Sequence, residues 1–166
     1  MKASDLKDSR LYGFIILYDM QTDFFLSALE GISDTDAHNR HDTKANHVAW
    51  LAGSLLQQRY EQAGILTGQD LKQTGDALFK DNQGIKDNVT YPSLEQYKNE
   101  WKKVSTILRE AFINATTEKL DSMIDIPGMK ITVFELISFS IYREANCIGQ
   151  IALWRRLLGY DAMKYM

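Results

Sequence analysis

Apolar residues recur at three- and four-residue intervals along most of this chain, the spacing that lines one side of an α-helix. Four long stretches hold the pattern. In the first, from 10 to 30, Leu11, Phe14, Tyr18, Phe25 and Leu29 form one stripe; Asp8 or Ser9 can cap its start and Gly31 can end it. The second begins at 42 or 43 and runs to 63, carrying Val48, Leu51, Ala52 and Leu55, with Gly64 as its stop. The third opens at Ser93, spaced with Gln96 as a capping box just after Pro92, and Leu94, Tyr97, Trp101, Val104 and Leu108 carry it on to about 120. The fourth opens on a second such pair, Thr132 and Glu135, and ends at Gly159. Nothing reads as alternating strands.

Helices of roughly 20 to 28 residues are each ~30–40 Å long. Four of them predict an all-α four-helix bundle, one domain spanning 1–166. Residues 65–92 are its irregular part, a polar connection between helices two and three with Gly68, Gly75 and Gly84 and one short helix around 76–80. A connection of that length in a compact domain is often functional or mobile.

The fourth helix departs from simple amphipathicity. Phe134, Ile137, Ile141, Ile148 and Ala152 take one side, while Phe139, Tyr142, Leu153 and Leu157 lie opposite or flank it. A helix apolar around most of its circumference needs more cover than one bundle face supplies. Two neighbouring helices and a loop could give it, as could a second subunit. The expectation is a homodimer that buries Phe139, Tyr142 and Leu153.

Composition narrows the class. The chain has 166 residues, 45% apolar and 25% charged, the profile of a soluble globular protein. No run approaches the ~18 consecutive apolar residues of a membrane helix. The opening MKASDLKDSR lacks the apolar core of a signal peptide, and one cysteine cannot build a disulfide framework. The expectation is a cytoplasmic protein with no membrane partner. Net charge is −3, and the short basic pairs Lys102-Lys103 and Arg155-Arg156 make no basic stripe interleaved with aromatics. The electrostatic footprint of a nucleic-acid binder is missing.

Candidate chemistry is sparse. His38 and His41 lie in the polar segment HNRHD, where no carboxylate or thiol sits at ligand spacing over a fixed scaffold, so they read as solvated. His47 falls on helix two, seven residues before Ser54, where it either points into the bundle or caps its end. On helix four, Arg143 and Cys147 share a face at a four-residue spacing. A nearby cation favours thiolate, so Cys147 with His47 or Glu144 would be a nucleophile with a charged partner; the plainer role is a small buried hydrophobe. Arg143 could hold the carboxylate or phosphate of a small ligand, or pair with an acidic residue of a neighbouring helix.

The stretch NHVAWLAGSL resembles the helix-two signature of the DinB-like (DNA-damage-inducible-like) four-helix bundle family, and EANCIGQIALWRRLLG resembles its C-terminal helix. Asn46, Trp50, Gly53, Gly149, Gln150, Arg155, Arg156 and Gly159 carry the likeness, and the helix order and long connection agree with it. The resemblance implies a site where three histidines hold a divalent metal, usually nickel or zinc, which several relatives use to activate a low-molecular-weight thiol. In this chain the helix-two histidine falls on Ser54 and the helix-four pair on Arg143 and Cys147. Serine is a poor ligand for those metals, arginine has no lone pair to give, and one thiolate does not make a site. The expectation is therefore a DinB-like bundle without metal or other cofactor. In it His47, Ser54, Arg143 and Cys147 form a pocket for a small-molecule or anionic ligand, or the chain serves as an interaction protein. The alternative is a thiol-dependent transferase rebuilt around Cys147 and His47.

Overall fold

The computed structural model describes residues 1–165. Among them the chain forms α1 (Tyr12–Leu29), a single-turn α2 (Asp34–Ala37), α3 (Val48–Thr67), a short α4 (Asp76–Phe79), α5 (Leu94–Asn114), α6 (Thr117–Asp121), an antiparallel hairpin β1 (Met123–Ile126) and β2 (Met129–Thr132), and α7 (Val133–Leu157). It is mainly helical, and among the described residues no helix is long and apolar enough to cross a membrane.

Named contacts fix how the four long helices run. The Tyr18 hydroxyl donates to the Ser105 carbonyl and the Trp101 indole to the Thr22 carbonyl, so α1 and α5 are antiparallel. Phe14 packs edge-on against Phe134 and Gln21 donates to the Ile141 carbonyl, which sets α1 and α7 parallel. Trp154 reaches the Asn46 carbonyl while Gln58 reaches that of Ser140, so α3 and α7 are antiparallel. Gly53 sits beside Tyr97 and Arg59 beside Ser105, leaving α3 and α5 parallel. Two parallel neighbours joined in sequence need a connection that travels back the length of a helix. The long stretch between Thr67 and Leu94 does this, and it is anchored rather than loose. Phe79 and Tyr91 are buried in the core, and Gln73 donates to the Gly53 carbonyl (3.0 Å). A Cβ at Gly53 would lie 2.2 Å from the Phe79 ring and 2.5 Å from the Tyr97 hydroxyl, so this crossing admits only glycine.

Several sequence-based boundaries are corrected. Helix two starts at Val48, not at 42 or 43, because His41 and Asp42 adopt left-handed backbone (φ 45° and 57°) that no α-helix accommodates. It runs past Gly64 to Thr67 and stops at Gly68, whose φ of 74° makes the left-handed cap. Helix three ends at Asn114; a separate turn, α6, follows under its own cap, Thr116. The hairpin before α7 stands where no strand was expected, turning at Pro127 and Gly128 (φ 89°). The caps at Ser93 and at Thr132 with Glu135 are present, the second as a reciprocal capping box.

Candidate functional site

The centre of the helical core holds a charge. Arg59 of α3 is fully buried, and its guanidinium lies between the rings of Tyr18 and Trp101, 3.9 and 3.5 Å from their centroids. Its Nε and Nη2 donate to the two carboxylate oxygens of Glu144 on α7 (2.8 and 2.7 Å), and Nη1 donates to Thr22 and Ser105. All four long helices thus contribute to one paired, hydrogen-bonded cluster, the condition under which buried ions are tolerated. Sequence reasoning missed Arg59. Its partners lie 37 to 85 residues away, and only its place on an otherwise well-packed helix could have drawn notice.

The seam between α3 and α7 carries the predicted residues. Arg143 Nη2 donates to Ser54 Oγ (2.6 Å) and Nη1 to Gln58 Oε1 (3.0 Å). The structure therefore brings Ser54 and Arg143 together, as expected, and adds Gln58. Of the two roles open to Arg143, pairing with an acidic residue of a neighbouring helix is not seen: among the described residues it makes no ion pair, and the adjacent Glu144 points the other way, to Arg59. Neighbouring positions on a helix do not face the same side. Cys147, one turn on, is buried; burial pushes its thiol up, with Arg143 opposing that shift and Glu144 adding to it.

His47 belongs to a different cluster, which corrects the four-residue pocket. It is the N-cap of α3, its Nδ1 accepting from the Trp50 amide (3.0 Å), and its ring packs on His38 and Tyr91 at 5.1 Å between centroids. Because Nδ1 accepts, the neutral ring carries its proton on Nε2. Burial, with the charges of His38 and Arg40, lowers its pKa to about 4. His47 is a neutral capping group, and His41 stacks on Trp154 nearby.

The ligand positions implied by the DinB-like resemblance do not fit a divalent metal. A guanidinium lies against Ser54, where a cation would have to sit, and no three His, Cys, Asp or Glu side chains converge among the described residues. A groove of about 680 Å³ lies elsewhere, between the C-terminal ends of α3 and α5, lined by Leu66, Ile107 and Ala111 among others.

No family model and no curated protein matches this chain. A crystal structure of a conserved protein from Enterococcus faecalis is similar in fold: it covers 89% of this chain and 96% of its own at 13% identity, with a TM-score of 0.69. At that identity the likeness concerns the fold alone.

Proposed function

We propose that this chain is a DinB-like four-helix bundle that has exchanged the family's metal for a fixed arginine, and that it acts as a homodimeric small-ligand-binding or interaction protein. The observation that carries the reading is the Arg143 guanidinium, half-buried on the α3–α7 seam with only neutral hydrogen-bond partners, Ser54 and Gln58, and with Glu61 near enough to act through space but not paired to it. A cation so placed has charge left over for a carboxylate or phosphate group, to which guanidinium donates in bidentate fashion. The thiol-transferase alternative gains nothing from a buried Cys147 and a His47 whose Nδ1 is already engaged.

Two measurements test it. Protein purified without chelators should carry no stoichiometric nickel or zinc; near one equivalent per chain, lost on changing Cys147 or His47, would overturn the reading. Acetate or phosphate, compared with chloride at constant ionic strength, should raise the melting temperature of the natural chain and leave Arg143→Gln unmoved. Equal shifts in both would remove Arg143 from the site.

A further inference from the structure

On α7 the positions Glu135, Phe139, Tyr142, Asn146, Gly149, Leu153 and Arg156 are all exposed, and they follow an alternating four- and three-residue spacing. That is the repeat of a helix–helix seam. The stripe is about 32 Å long at 1.5 Å per residue. Its only charges are at its two ends, one of each sign. Phe139, Tyr142 and Leu153 are 58%, 67% and 60% exposed.

We infer that α7 pairs with α7 of a second copy, antiparallel, about a two-fold axis through Asn146. This rests on the homodimer reading and gives it a register. Inverting the stripe about Asn146 sets Phe139 over the partner's Leu153 and Asn146 over the partner's Asn146, while Tyr142 falls one residue, about 1.5 Å, from the partner's Gly149 and Glu135 one residue from the partner's Arg156. Each contact recurs by symmetry, as an isologous interface requires. The charge pattern is self-complementary in this orientation, whereas a parallel pairing would set Glu135 on Glu135 and Arg156 on Arg156. Arg156 makes no ion pair within the chain among the described residues, and Glu135, whose Oε2 accepts from Thr132 in the capping box, has Oε1 to offer.

Gly149 gains a reason. A Cβ there would meet nothing within 4 Å in its own chain, so no internal packing demands glycine, although glycine in a helix costs about 0.5–1 kcal/mol. Beside the partner's Tyr142 it leaves room for a ring. Leu157, one position beyond Arg156, is 58% exposed and widens the apolar surface. Taking large side chains at about 150–250 Å² each, Phe139, Tyr142, Leu153 and Leu157 expose roughly 400–600 Å² per copy, somewhat over half of the ~800 Å² that a standard interface buries on each partner.

The test combines mass with cross-linking. Light scattering at micromolar concentration should give a dimer. Tyr142→Glu, at a site exposed in the single chain, should keep its helical circular dichroism yet raise the dimer dissociation constant at least about 30-fold. In a Cys147→Ala background, Asn146→Cys should cross-link two copies rapidly under diamide, because that position meets itself on the axis. Phe139→Cys, facing Leu153, should cross-link slowly. A single-chain mass for the natural protein overturns both the homodimer and this register. A dimer that ignores Tyr142→Glu, or that cross-links faster through 139 than through 146, overturns the register and leaves the homodimer standing.

Discussion

Two arginines cross the gap between α3 and α7 in opposite directions. Arg59 leaves α3 and meets Glu144; Arg143 leaves α7 and meets Ser54 and Gln58. Arg59 is fully buried, clasped by two aromatic rings and matched by an opposite charge. Arg143 is half-buried and bonded to neutral groups, with no ion pair among the described residues and with Glu61 acting on its charge through space. The contrast separates architecture from candidate chemistry. A charge with every demand met holds the fold together, and a charge with demands left over can meet a ligand.

The sharpest way to break that contrast is to unpair the buried ion. Glu144→Ala leaves Arg59 charged among aromatic rings with no counter-ion, and removing one partner of a buried pair costs about 3–5 kcal/mol. Urea unfolding should show a loss of this size. Replacing both partners, Arg59→Met with Glu144→Leu, should recover most of it, because apolar side chains of similar volume need no counter-ion. A single-variant loss below about 1 kcal/mol, the range of a surface ion pair, would deny Arg59 its central role.

The sequence revealed the seam better than the centre. Ser54 and Arg143 could be paired because motif-like stretches placed them at one depth on two helices, and they do hydrogen-bond. The long helices were legible from their stripes and caps, since a side-chain hydroxyl ahead of an apolar repeat acts locally, as Ser93 does on the Gln96 amide. That Glu144 serves Arg59 and not the seam could not be seen, because adjacency to Arg143 in sequence hides a turn of about 100° around the helix. The hairpin escaped notice because each strand has only four residues, too few for alternation to stand out. Its Pro127-Gly128 turn was the one local signal. The start of α3 was misplaced because the left-handed backbone at His41 and Asp42 is not written in hydrophobic periodicity.

The seam can be separated from the centre by pH. His47 caps α3 at the end of the seam, faced by His38, Arg40, Asp87 and Tyr91, and its pKa falls from 6.5 to about 4 on folding. Between those values the unfolded chain holds a proton that the folded chain does not, so stability rises with pH across this window and is lost on acidification from 6.5 toward 4. At about 1.36 kcal/mol per pKa unit the loss stays below about 3.5 kcal/mol. His47→Asn keeps a side-chain acceptor for the Trp50 amide but cannot titrate, so it should flatten this part of the stability curve. An unchanged slope would place the acid sensitivity in other groups.

The smallest expected effect is at Arg143, and its smallness matters to the contrast. Arg143→Gln removes two hydrogen bonds to neutral partners, each worth about 0.5–1.5 kcal/mol net. Against that loss, a half-buried guanidinium no longer has to be kept partly out of water, and the shorter amide can still reach water or Gln58. The net cost in urea unfolding should be about 1 kcal/mol or less, several-fold below that of Glu144→Ala. Arg143→Lys should sit between the natural chain and Arg143→Gln in its response to acetate or phosphate, because an ammonium keeps the charge and loses the planar fork. If Arg143→Gln instead destabilises as strongly as Glu144→Ala, then Ser54 and Gln58 are structural anchors and the two arginines do the same job. Arg143 would then have no charge to spare, and anion binding at the seam would lose its physical basis.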